Sequence, residues 1–145
     1  MADFVFNIAK GAVAEKVRDG ASALGIMLLK AAEADSTFKD RDTLAEILAN
    51  GGTEADATNY ARKTGLTGTI TVDDTNDRVD VDLPDQTWNA LGGAANNTLT
   101  DAVVYYQESA ADSGRVPLTC HDFPVVTDGS DVTLQVNAAG FFRAQ

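Results

Sequence analysis

"TGTITVDDTNDRVDVDL", residues 67–83, separates two kinds of molecule. Its residues 73–82 hold five aspartates: Asp73, Asp74, Asp77, Asp80 and Asp82. Either these carboxylates gather round a cation or a substrate, or they form the wet side of a β-hairpin. Val79, Val81 and Leu83 alternate with Asp80 and Asp82, and a strand sends successive side chains to opposite faces. "DDTND" between the two runs is turn chemistry, because Asp and Asn bond their own backbone and tolerate left-handed dihedrals. A calcium loop of the EF-hand type fails on spacing. Counted from Asp74, Arg78 falls at the fifth place, Val79 at the glycine place and Asp85 at the twelfth, where a bidentate Glu is required; counted from Asp73, Pro84 falls there. A looser calcium site made by Asp73, Asp74 and Asp77 is the one metal alternative. Paired catalytic acids need unequal surroundings, and Asp80 and Asp82 on one solvated face share theirs. The stretch therefore reads as a hairpin with its charged side in water, and no metal or cofactor is expected.

The same grammar returns in "PVVTDGSDVTLQV", 124–136, where Val132, Leu134 and Val136 alternate behind a turn and predict a second hairpin. "DAVVYYQE", 101–108, and "RVPLTCHDF", 115–123, supply two more strands. Upstream the texture is helical. Asn7 caps and Gly20 ends a short helix with Ile8, Ala12, Val13 and Val17 toward one side. Thr43 with Glu46 makes a capping box ahead of Leu44, Ile47 and Leu48, and Gly51 and Gly52 stop that helix. "SALGIMLLKA", 22–31, fits a buried strand or a buried helix, and its short length and internal glycine favour the strand. "TEADATNYARK", 53–63, reads as a polar connector with at most one helical turn. The expected fold is α+β, mainly antiparallel β: a β-sandwich or compact barrel with one or two short N-terminal helices. Residues 1–20 form an arm and short helix, and 21–145 a single mainly-β domain with a helix near 43–50.

With 145 residues, 44% of them apolar, the chain can bury one real core. Its net charge of −11 is unevenly spread. Residues 1–64 carry eight Lys or Arg against ten Asp or Glu, whereas 65–145 carry three against twelve. Arg78, Arg115 and Arg143 are too few to neutralise a phosphate backbone, so no nucleic-acid partner is expected. No apolar run approaches the roughly 20 residues of a membrane helix, and "MADFVFNIAKG" lacks the basic and apolar regions of a secretory signal. Neither a membrane partner nor export is expected.

"TCHDF", 119–123, contains catalytic residue types, but neighbouring strand positions face opposite ways, so Cys120 and His121 do not pair. Cys120 reads as a buried structural thiol, and a lone histidine excludes a multi-histidine zinc site. No catalytic residue is assigned, and the chain is not expected to be an enzyme. Trp88 reads as a core anchor. A carbohydrate platform of Trp88, Tyr105 and Tyr106 is weakened because the two tyrosines alternate in direction. Of the adjacent Phe141 and Phe142, one should face the core and the other a neighbouring subunit.

"FNIAKGAVAE" at 6–15, "YARK" at 60–63, "VDDTNDRVDVDLPDQTW" at 72–88 and "VPLTCHDFPVVTDGSDVTLQVNAAGFFRAQ" at 116–145 resemble a family of small virion proteins encoded among the structural genes of tailed bacteriophages. The likeness covers most of the chain and is weakest from about 20 to 58. It implies a non-enzymatic part of the virion, made in the host bacterial cytoplasm. The leading expectation is a capsid decoration or cement protein on the outside of the head. Its partners would be the major capsid protein and further copies of itself, as a homo-oligomer expected to be a trimer. The alternative is a tail or fibre protein that contacts a receptor or glycan. The near-neutral "FVFNIAKG" arm would dock while the acidic β part faces water. Phe4, Phe6, Ile8, Phe141 and Phe142 are the candidate contacts with capsid or neighbouring subunit.

Overall fold

The computed structural model describes residues 3–6, 23–76 and 78–144. Its largest sheet contains β1 (Phe4–Val5), β2 (Leu24–Ala31), β3 (Thr53–Glu54), β4 (Lys63–Leu66) and two long strands, β8 (Thr98–Gln107) and β9 (Arg115–Val126). The order is β1-β9-β8-β2-β3, with β4 also on β2, and every pairing is antiparallel. Six successive buried residues, Leu24 to Leu29, open β2. A strand covered on both faces shows no alternation, which is why this run is ambiguous by pattern.

Two short helices, α1 (Asp35–Phe38) and α2 (Leu44–Ala49), follow β2. Thr43 caps α2 by accepting from Glu46 N–H at 3.2 Å, and the Glu46 carboxylate accepts from Asp42 N–H at 2.9 Å. Half of the expected capping box is therefore present: the Thr43 cap forms, whereas the Glu46 carboxylate reaches Asp42 N–H and not the N–H of Thr43. Phe4, Phe6 and Phe38 stack edge-to-face with centroids 5.2–5.6 Å apart, joining β1 to α1. Phe6 is wholly buried, and its N–H bonds Leu118 O at 3.3 Å. The helix expected over 7–20 lies outside the described residues.

Two smaller sheets complete the chain. One has the order β11-β6-β5, from β5 (Thr69–Asp73), β6 (Arg78–Asp82) and β11 (Phe142–Ala144); the other pairs β7 (Gln86–Trp88) with β10 (Val132–Leu134). The three-stranded sheet meets β2 where Gly68 leaves room for Leu24: a Cβ on Gly68 would stand 2.9 Å from Leu24 Cδ1. The chain is mainly antiparallel β in several open sheets, and no described sheet closes into a barrel.

The hairpin that opens the sequence reading forms in full register, from Thr69 opposite Asp82 to Asp73 opposite Arg78. The second expected hairpin does not form. β10 pairs with β7, Val132 opposite Trp88, and not with the end of β9. The intervening loop is instead tied to residues 91–97, by Thr127 N–H to Asn97 O, Gly129 N–H to Leu91 O and Leu91 N–H to Ser130 O, at 2.8–2.9 Å. Two glycines permit the close passage, since a Cβ on Gly129 would stand 3.3 Å from Gly93 Cα.

The expected polar connector, 53–63, is a structural tie. Arg62 grips Glu54 with two bonds of 2.7 and 2.6 Å and also bonds Asp112, which Arg115 meets at 2.7 Å. Tyr60 donates to Glu54 at 2.9 Å and accepts from Leu28 N–H at 3.1 Å. The Arg62 guanidinium holds the Asp112 carboxyl below its ordinary range.

Arg62→Ala leaves Glu54 and Asp112 without their shared cation and should cost about 3 kcal/mol in urea unfolding. The depressed carboxylate fixes a pH dependence too. Its contribution is fully present above the unfolded value and disappears as pH falls through the lower folded value, so wild type should lose stability below about pH 4. Arg62→Ala should flatten that acid limb.

Candidate functional site

Val104 of β8 and Thr119 and His121 of β9 form one wall of a cleft of about 530 Å³. Leu134 to Val136 and Phe141 to Arg143 form the other, and Asp3 and Phe4 close the end beside β1. The volume is that of a typical ligand or side-chain pocket. Asp3 fixes the polar end: its carboxylate accepts from Asp122 N–H at 2.8 Å and lies 3.4 Å from His121 Nδ1. His121 Nε2 meets Thr119 Oγ1 at 2.9 Å.

Gly140 delivers the opposite wall. It has φ +90°, and a Cβ there would stand 2.3 Å from Val81 O. Glycine alone satisfies both the left-handed dihedral and that approach. Gly140 N–H bonds Asn137 O at 2.7 Å and Phe141 N–H bonds Val81 O at 2.9 Å, so the turn runs flush against β6.

Of the five expected contact residues, Phe141 and Phe142 line this cleft, and Phe4 borders it at the β1 edge with its ring turned to the Cys120 face, against Phe6 and Phe38. Phe141 is buried and Phe142 half-buried. Phe6 is a core residue, wholly buried beside Phe4 and Phe38, so its ring is not on an outer surface. Ile8 lies outside the described residues.

The aspartate ribbon is less wet than its sequence implies. Asp80 is only 14% exposed and sits between two arginines, 2.7 Å from Arg143 Nε and 3.1 Å from Arg78 Nε. Asp73 accepts from Thr75 N–H, Asn76 N–H and the Asn76 amide, and Arg78 stands 3.2 Å away. Those bonds, the Asn76 amide first, hold its carboxyl below the ordinary range. Asp73 is thus a turn cap whose oxygens already have donors. Asp74 lies in the exposed turn, and Asp77 lies outside the described residues. Among the described residues no group of three or more His, Cys, Asp or Glu side chains is arranged to hold a metal.

Cys120 and His121 project to opposite faces, as strand alternation requires. Cys120 lies opposite Phe4 and Val103, away from the cleft. Burial pushes its thiol pKa upward, and its Sγ donates to Asp101 Oδ1 at 3.7 Å. Asp101 itself is wholly buried in β8, opposite Asp122, and its Oδ2 has no hydrogen-bond partner among the described residues. Desolvation raises its pKa, and Asp122 and Asp35 nearby add to that. An acid beginning the apolar run "DAVVYY" was the signal for this site. By contrast, nothing local marks the meeting of Asp3, His121 and Phe142, which are distant in sequence. Trp88 is an anchor, 3% exposed, donating to Ala61 O at 2.8 Å under the Lys63 ammonium. With Trp88 and Tyr105 both buried, the carbohydrate platform does not form.

No helix among the described residues is long and apolar enough to cross a membrane. No protein-family model matches the chain, and no curated protein or solved structure shows significant similarity to it.

Asp101 yields a prediction of opposite sign to Asp112. Its raised folded pKa means that stability falls as pH climbs from the unfolded value through the folded one. Asp101→Asn removes the buried charge, so it should melt above wild type at about pH 8, the gap closing toward about pH 4. Equal melting temperatures across that range would show the buried carboxylate to be without cost.

Proposed function

We propose that the chain is a non-enzymatic structural protein of a tailed-phage virion, and specifically a capsid decoration or cement protein. It docks on the outside of the assembled head and stabilises it as a homo-oligomer, with a trimer as the expected state. One observation carries the docking part: Phe141 and Phe142 meet the β1 edge, from the opposite end of the chain, at one open cleft with a polar end made by Asp3 and His121. An apolar cleft rimmed by a few fixed polar groups suits a side chain or short segment of a neighbour. The sequence resemblance supports the virion setting, and the acidic second half supports solubility at high local concentration. The packing of the small sheets on the large one is read as an open sandwich.

Binding to the assembled shell and not to its free subunits stabilises the shell by mass action. Many modest contacts in a symmetric array then add through multivalency. Removing the N-terminal arm is a poor test, because Phe6 belongs to the core and β1 extends the main sheet. Point changes in the cleft leave that packing in place.

Purified full-length protein mixed with undecorated phage shells should cosediment to saturation and raise the temperature at which the shells break. His121→Ala with Phe142→Ala should weaken cosedimentation by at least about tenfold while the protein still melts cooperatively. Wild-type protein that leaves shells bare, or a double variant that decorates them as well as wild type, rejects the reading.

A further inference from the structure

Among the described residues, strand β5 is the outer strand of its sheet, paired with β6 alone. Ile70 stands opposite Val81 and Val72 opposite Val79, so all four share one face. Val81 is 3% exposed, yet Ile70 is 38% and Val72 65% exposed. The apolar face of the sheet therefore runs on past the part that the core covers. Val126, the other exposed large aliphatic residue among the described residues, is a single position and forms no such stripe.

The backbone points the same way. Phe141 N–H donates to Val81 O, so β6 turns Val81 toward β11 and Asp80 toward β5. Thr71, opposite Asp80, then spends its peptide groups on β6. Polarity alternates along an antiparallel strand, so Ile70 and Val72 direct their N–H and C=O outward. From Ile70 to Val72 the strand carries no proline, charged residue or bulge, which are among the devices that blunt an edge.

We propose that β5 is a docking edge that takes an extended strand of a protein partner, added to the sheet as a further strand, with side chains alternating between aliphatic and Lys or Arg. The aliphatic positions continue the Ile70 and Val72 stripe. The cationic positions answer the other face, where three carboxylates, Asp73, Asp80 and Asp82, outnumber the two arginines that brace them, Arg78 and Arg143, on a chain of net charge −11. A second copy of β5 matches the aliphatic stripe but brings the same net negative face to the same side, where like charges repel. The proposal goes beyond the cleft reading and does not depend on it, because β11 beside the cleft and β5 are opposite edges of the sheet.

The test uses the full-length protein and fluorescein-labelled synthetic peptides of about nine residues, the length of a long strand. One alternates Val and Lys, one alternates Val and Glu, and one is a scrambled Val/Lys sequence. The Val/Lys peptide should bind saturably by fluorescence anisotropy, more weakly as salt rises, with the other two at least about tenfold weaker. Val72→Pro removes an outward N–H without touching the β6 ladder, and Ile70→Thr with Val72→Thr keeps strand propensity while removing the stripe. Each should lose at least about tenfold in affinity, with the circular dichroism and melting of a folded protein. Absence of Val/Lys binding overturns the proposal, as does binding that ignores both variants or fails to discriminate among peptides. Sedimentation of wild type as a dimer that Val72→Pro dissociates, without peptide, would instead assign the edge to a second copy.

Discussion

Three adjacent strands that are apolar on both faces govern this molecule. β2 opens with six consecutive buried residues, β8 buries Asp101 to Tyr105 and β9 buries Pro117 to Cys120. An antiparallel sheet usually leaves one face to water, but this one must be covered twice. Phe4, Phe6, Phe38 and the short helices supply one cover, and the segments after Gly68 supply the other. Fit within the sheet is equally demanding: a Cβ on Gly25 would lie 2.3 Å from the Tyr105 ring, so the glycine in "LGIMLLKA" is what lets that ring lie across β2. The cleft lies where the second cover meets the β1 edge, bounded by groups that the fold needs for its own closure.

Such a core leaves polar segments to be anchored individually, and the acidic residues serve that purpose. Asp73 and Asp128 cap turns, Asp56 joins Lys30 to Asn97, and Glu33 takes two bonds from Arg41. Each of these carboxyls is held below its ordinary range by the donors round it. Much of the negative charge is therefore placed where backbone N–H groups and arginines need an acceptor. That accounts for Asp73 and Asp80 within the 73–82 stretch. Asp101 departs from the pattern: it accepts a weak thiol bond and faces further acids, so its burial is a cost that the apolar packing of β8 carries.

What could be read from the sequence was whatever is half-exposed. The 69–82 hairpin shows clean alternation because one of its faces is polar, and α2 shows a capping box because its first turn is exposed. β2 gave a weaker signal for the opposite reason, since burial on both sides erases periodicity. The 124–136 stretch misled because turn chemistry reports that the chain reverses, not which strand it joins next. There the partner was chosen by tertiary packing: Val132 sits beside Trp88, a residue far earlier in the chain. Likewise the connector at 53–63 looked polar because Glu54, Tyr60 and Arg62 are polar types, although they bond one another in a partly buried cluster. The cleft was legible only as an inventory of aromatic residues. Their convergence depends on Gly140 fitting against Val81, which no local pattern encodes.

The cleft and the open edge belong to one mechanical unit. β11 lines the cleft, β6 lies in the middle and β5 ends the sheet. Arg143 of β11 bonds Asp80 of β6, and Arg78 stands between Asp80 and Asp73 at the β5 end. The polar face is thus cross-braced from one edge to the other, while Gly140 locks the approach to β11 against the β6 backbone. A displacement of β5 cannot be absorbed locally without breaking these ion pairs or lifting Val81 from the core. Partly buried, networked pairs resist that more than isolated surface pairs do. A sheet braced in this way suits a conformational switch poorly, because a switch needs a second packing of similar energy.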